Sequence, residues 1–157
     1  MHENRILIHK LKNFENINSN FLIITLMLFG SILLAISAKV QVPFWPVPMT
    51  MQTFVIFLIG MTYSVRLSFA TVAFYLFQGA IGLPVFAAGG GVAYLVGPTA
   101  GYLYGMLFAS IVISYLANLG FSKTYFKATV SLLIGSAIIF TFGIIYLGYI
   151  IGFEKAV

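Results

Sequence analysis

The chain has no cysteine, which excludes disulfides, thiol nucleophiles and thiolate metal sites. Acidic residues are nearly absent. There are three, Glu3, Glu15 and Glu154, and no Asp at all. The two histidines, His2 and His9, lie with the first two glutamates in a polar lead. None of these groups falls inside a long apolar run. General acid–base chemistry and metal ligation both depend on such side chains, so an enzyme, a resident metal or a cofactor site has almost nothing to be built from. Charged residues of both signs make up 7% of the chain, against roughly 25% in ordinary soluble domains. The eight Lys and Arg are dispersed, without the clustered basic patch that tracks nucleic acid.

What fills the chain instead is apolar. Hydrophobic residues reach 61% of 157, too many for the remaining polar side chains to cover a soluble globule. The composition indicates an all-α membrane protein, a multi-pass helical bundle in one domain. Residues 1–20 form a polar lead. They do not resemble a cleavable signal, because they are mixed polar and the apolar run after them is too long for a signal core. Five spans are expected, at about Phe21–Ala38, Met49–Tyr63, Leu67–Ile81, Ala100–Leu119 and Ala128–Ile151. The second and third are short, which implies tilt or a thinned bilayer. Between the first two lies Lys39–Pro48, where Pro43, Pro46 and Pro48 forbid a regular helix. Gly120–Lys127 is a polar connector.

Charge placement orients the bundle. With the N-terminus in the cytoplasm, the inner segments carry Arg5, Lys10, Lys12, Arg66, Lys123 and Lys127, and the outer ones carry Lys39 and Lys155. Six against two favours this orientation by the positive-inside rule. It puts the Pro-rich loop and the segment Gly82–Tyr102 on the same external face. The latter is rich in Gly and Pro, uncharged, and flanked by apolar runs. Irregular backbone at membrane depth persists only where protein or a cavity covers it.

Two readings of Gly82–Tyr102 stay open. Pro84 and Pro98 break helices on either account. In the functional reading, Gly89, Gly90 and Gly91 let backbone approach a small ligand, Phe86, Tyr94 and Tyr102 pack on its apolar body, and the tyrosine hydroxyls with Thr99 supply polar contacts. The stretch Gly91–Thr99 is no phosphate loop, since it lacks the Lys after its last Gly. Gln52 either caps a helix end or hydrogen-bonds a ligand, its amide being both donor and acceptor. Gln78 is a weaker version of the same alternative. Phe44 reads as an interfacial anchor and Trp45, flanked by prolines, as a lid. Gly97, Gly101 and Gly105 form a small-residue face for helix packing. Ser31, Ala35 and Ala38 form a second stripe, for internal packing or for a partner subunit.

Three segments together carry a resemblance: Val42-Pro-Phe-Trp-Pro-Val-Pro-Met-Thr-Met-Gln-Thr53, Gly79-Ala-Ile-Gly-Leu-Pro-Val-Phe-Ala87 and Gly97-Pro-Thr-Ala-Gly-Tyr102. In order and spacing the chain resembles the BioY family, the biotin-binding S components of energy-coupling factor (ECF) transporters, most clearly over Ala35–Gly105. The resemblance implies a six-helix bundle in a prokaryotic cell membrane. It implies capture of biotin from outside and delivery by toppling, with a transmembrane T component and ATPase subunits as partners. It assigns Ser31, Ala35 and Ala38 to the T-component face and the Pro-rich loop to the gate. It assigns Gln52 and Gly89–Tyr102 to the substrate side. The chain departs from the pattern in two ways. Ala100 stands where Gly is usual. The sixth span, opening with a Pro-Phe…Asp…Lys stretch, is not matched before Val157, so residues 21–157 are expected to form the domain without its last span. Two alternatives accompany this reading: an S component for another small vitamin, and a truncated membrane remnant that does not transport.

Overall fold

The structure is a computed structural model that describes residues 19–45 and 47–152. Among the described residues, five helices follow the five apolar runs. They are α1 (Ser19–Lys39), α2 (Gln52–Thr62), α3 (Val65–Ala80), α5 (Ala100–Asn118) and α6 (Tyr125–Ile151), with a single turn α4 (Val92–Leu95) ahead of α5. Three of them, at Asn20–Lys39, Ala100–Asn118 and Tyr125–Ile151, are long and apolar enough to cross a bilayer alone. At 1.5 Å per residue, the 11 residues of α2 rise only about 16 Å, roughly half the hydrocarbon thickness.

The shortfall in α2 has a local cause. The apolar run from Met49 leads one to expect helix, but Met49 and Thr50 pair instead with Val42 and Gln41 in an antiparallel hairpin of strands β1 (Gln41–Val42) and β2 (Met49–Thr50). The Met51 amide also donates to the Val40 carbonyl at 3.0 Å. Prolines at 43 and 48 prevent helix on either side of the tip, so the chain satisfies its backbone across the hairpin. The helix can begin only at Gln52. Elsewhere α3 starts two residues and α6 three residues earlier than the apolar pattern suggests, and a 3₁₀ turn at Phe121–Lys123 occupies the polar connector.

The bundle is held by close backbone approaches at glycine and by short interhelical hydrogen bonds. A Cβ at Gly30 on α1 would stand 2.6 Å from Thr71 Cγ2 on α3, and one at Gly60 on α2 would stand 2.7 Å from Ile113 Cγ2 on α5. The α5–α6 seam is the tightest. Gly101 lies against Tyr146 and the Phe142 carbonyl, Gly105 against the backbone of Ile139, Gly135 against Ile113, and Gly143 under the Tyr102 ring. Thus Gly101 and Gly105 are packing glycines, whereas Gly97 precedes the helix and touches only its own turn. At one end of the bundle the Tyr63 hydroxyl donates to the Leu26 carbonyl at 2.9 Å, and Ser114 Oγ donates to the Tyr63 carbonyl at 2.6 Å. Each bond satisfies a polar group that hydrocarbon cannot.

This packing bears on the two readings of the α1 stripe. Ser31 and Ala38 are 1% and 0% exposed, and Ala35 is half-buried against the core. Ser31 and Ala38 thus pack inside the chain, on the side where α1 meets α2 and α3, while Ala35 keeps part of its surface open. The outward face of α1 carries Ile24, Leu28, Ile32 and Ile36, recurring every fourth residue and exposed.

Gly105→Ala places a methyl 2.9 Å from the Ile139 Cα, where only backbone movement relieves the clash. It should cost about 1–3 kcal/mol. Gly97→Ala meets nothing nearer than 3.4 Å and should be close to neutral. Thermal unfolding of the two variants in detergent checks this: a lower Tm for Gly105→Ala alone is expected.

Candidate functional site

The C-terminal ends of α1 and α3 and the N-terminal ends of α2 and α5 come together at one end of the bundle. The β1–β2 hairpin and the Gly82–Tyr102 segment cover that end from opposite sides. The segment is irregular, yet much of its backbone is hydrogen-bonded, to itself and to the end of α3. The Gly91 amide donates to the Gly79 carbonyl at 2.7 Å, the Leu83 amide to Gln78 at 3.2 Å, and Phe86 and Gly89 exchange bonds at 2.8 and 3.3 Å. This is how non-helical backbone persists at that depth. All three glycines at 89–91 are required by the turn itself, Gly89 through its φ of 138°. Gly91 has φ 104°, and at Gly90 a Cβ would collide with the Leu83 carbonyl. Gly89, Gly90 and Gly91 therefore serve the segment's own fold, and none of them lines the cavity.

Phe86 also differs from expectation. Its side chain is 1% exposed. Its ring lies edge-on to Tyr75 with centroids 5.5 Å apart, stacks on Tyr94 at 4.8 Å, and is seated against Gly79. It is an anchor that fixes Tyr94, and it lies behind the cavity wall. The Phe86 carbonyl accepts a hydrogen bond from Lys39 Nζ at 2.6 Å. Lys39, the last residue of α1, thereby ties that helix to the segment. A cation at a helix C-terminus is also favoured by the helix dipole.

Between hairpin and segment lies a cavity of about 160 Å³. Its hairpin side is formed by Val47, Pro48, Met49 and Thr50, with Gln52 and Thr53 from the start of α2. Ala87, Tyr94 and Thr99 line the segment side, and Tyr102, Leu103, Met106, Ile139 and Phe140 complete it from α5 and α6. Of the residues singled out in the sequence, Gln52, Tyr94, Thr99 and Tyr102 are brought together here. Trp45 is not: it projects from the hairpin tip, 81% exposed. Thr53, Met106 and Phe140 were not singled out. Thr53 closes the motif Met-Thr-Met-Gln-Thr and could have been inferred from it, but no local signal distinguishes Met106 or Phe140 from other apolar helix residues.

The cavity is uncharged and carries two kinds of polar group. Gln52, 4% exposed, is already engaged: Thr50 Oγ1 donates to its Oε1 at 3.0 Å, and its Nε2 donates to the Tyr75 hydroxyl at 2.8 Å. An amide offers two donors and two lone pairs, so one of each remains. The hydroxyls of Thr53, Tyr94, Thr99 and Tyr102, by contrast, make no hydrogen bond with any described residue. Thr99 sits at the N-cap of α5 without making the capping bond. The arrangement can hold a small, mostly apolar molecule with a neutral polar head. Among the described residues no group of His, Cys, Asp and Glu could hold a metal ion.

Comparison with known proteins gives a consistent result. The BioY family profile matches residues 10–157. A protein of Rickettsia prowazekii described as a probable biotin transporter BioY is 36% identical over 141 residues, 89% of this chain and 72% of that one. The biotin transporter BioY of Thermotoga maritima is 38% identical, over 80% of this chain and 74% of its own. A crystal structure of the S-component for biotin from an ECF-type ABC transporter shares the fold, with TM-score 0.79 over 90% of this chain and 80% of that one, at 24% identity.

Lys39→Met removes the tie from α1 to the Phe86 carbonyl. Amide hydrogen exchange should rise across residues 82–95 and stay unchanged along the α5–α6 seam. Unaltered exchange in 82–95 would show that the tie does not hold the segment.

Proposed function

The chain belongs to the BioY family, and we propose that it captures biotin at this cavity as the substrate-binding subunit of a biotin-uptake system. The observation that carries the proposal is the chemistry of the cavity. Biotin presents a neutral cyclic urea, with N–H donors beside a carbonyl acceptor, an apolar thioether ring, and an aliphatic chain that ends in a carboxylate. Gln52, with one N–H and one lone pair to spare, can meet a urea on both counts. Tyr102 and Thr99 add free hydroxyls from the facing wall, and Met106, Ile139 and Phe140 pack on the apolar body. In such pockets a few polar groups fix orientation while apolar contact supplies affinity.

The same reading extends to membrane placement and partners. Among the described residues Lys39 is the cation at the cavity end, while Arg66, Lys123 and Lys127 lie toward the other end. The positive-inside rule makes that second end cytoplasmic and the cavity external, with the N-terminus inside. The face Ile24, Leu28, Ile32 and Ile36 suits lipid hydrocarbon or an apolar partner helix. Energy coupling falls to an ECF-type T component and its ATPase subunits, and this chain supplies capture and orientation of the substrate without catalysing a reaction.

Equilibrium binding of labelled biotin to the purified protein tests the proposal, and saturable binding is expected. Its absence, or displacement by riboflavin or thiamine but not by unlabelled biotin, would overturn it. Gln52→Ala and Tyr102→Phe should each weaken binding by about 0.5–1.5 kcal/mol, roughly 2- to 12-fold in Kd, with membrane insertion intact. Unchanged affinity in both would remove them from the site.

A further inference from the structure

We propose that Tyr75, which does not line the cavity, is a positioning residue that sets which way the Gln52 amide faces the ligand. The inference rests on the reading of the cavity as a biotin site.

Three hydrogen bonds in series set the direction of the amide. The Val85 carbonyl lies 3.0 Å from the Tyr75 hydroxyl, and a carbonyl oxygen can only accept. Tyr75 must therefore spend its single hydrogen on Val85. Toward Gln52, at 2.8 Å, it can then only accept. The group facing it has to be the donor end of the amide, Nε2. The other end, Oε1, is left facing Thr50, whose hydroxyl donates to it at 3.0 Å. The two ends of a glutamine amide are nearly the same in shape, and the hydrogen-bond network decides between them. Here one backbone carbonyl decides, acting through Tyr75.

The relay cannot readily turn. Tyr75 is 1% exposed, and its ring is braced edge-on by Phe86. Phe86 is in turn seated against Gly79 and held through its carbonyl by Lys39. The Val85–Phe86 step thus fixes Tyr75 through both ring and hydroxyl. The consequence for recognition is specific. The spare N–H and the spare lone pair of Gln52 stand in a set order, and a urea or amide head group can satisfy both in one orientation only. With the amide turned, donor and acceptor exchange places and that match is lost.

Tyr75→Phe keeps the ring and removes both hydrogen bonds. We expect biotin Kd to rise about 3- to 10-fold. In a Gln52→Ala background the same change should alter Kd by less than about twofold, because the group it positions is gone. An equal factor in both backgrounds, or no change in the otherwise native protein, would overturn the inference. A second measurement needs no ligand. The chain has three glutamines, Gln41, Gln52 and Gln78, so selective ¹⁵N-glutamine labelling yields three side-chain amides. The Gln52 amide should exchange slowly with solvent in the native protein and faster in Tyr75→Phe. Equal exchange in the two proteins would overturn the inference. If the native protein bound no biotin, the function proposed above would fail, and this exchange measurement would still decide whether Tyr75 holds the amide.

Discussion

The structure depends on one constraint: at membrane depth, backbone that leaves the helix has to find its hydrogen-bond partners inside the protein. The segment from Gly82 to Tyr102 meets it by bonding to itself and to the end of α3 and by lending carbonyls to neighbouring side chains. Phe86 accepts from Lys39 on α1, and Val85 accepts from Tyr75 on α3. Those two bonds turn an irregular stretch into a fixed wall. They also link it to the elements that carry the opposite wall, because Tyr75 is bonded to Gln52 and Gln52 to Thr50 of the hairpin. Both sides of the cavity are parts of one hydrogen-bonded chain.

The rest of the bundle supports that chain by packing rather than by polar contacts. Glycines on α5 and α6 bring the two helices close enough for the Tyr102 ring to lie on Gly143, where Tyr102 lines the cavity. The late start of α2 has a matching effect. Because Met49 and Thr50 are taken up in the hairpin, the helix opens on Gln52 itself, and a polar side chain stands at the cavity floor where an apolar helix would otherwise continue.

Much of the fold was legible in the sequence, because long apolar runs broken by Gly, Pro and charge translate directly into spans. The hairpin was not, since two-residue strands are too short to show a period of two. The direction of small-residue stripes was not legible either. Ser31, Ala35 and Ala38 announce close packing, but periodicity does not say whether the neighbour belongs to the same chain; Ser31 and Ala38 are buried within it. Of the site candidates, Gln52, Tyr94, Thr99 and Tyr102 share one cavity, and they drew notice because polar or aromatic groups stand out beside Gly and Pro. Phe86 stood out for the same reason, although it supports the wall from behind. Tyr75 was invisible: one more aromatic residue inside an apolar helix, it gains its role from a partner 23 residues away. The glycines 89–91 were noticed for the right property, conformational freedom, which the segment uses for its own turn.

The central claim is that biotin occupies the cavity between hairpin and Gly/Pro segment, with its urea on Gln52. Determination of the structure with biotin bound tests it most directly. The account predicts the cyclic urea within hydrogen-bond distance of the Gln52 amide, with the Tyr102 and Thr99 hydroxyls on the facing side and the bonds from Gln52 to Tyr75 and Tyr75 to Val85 still in place. Biotin bound elsewhere on the chain, or bound here with the Gln52 amide turned away from it, would contradict the account.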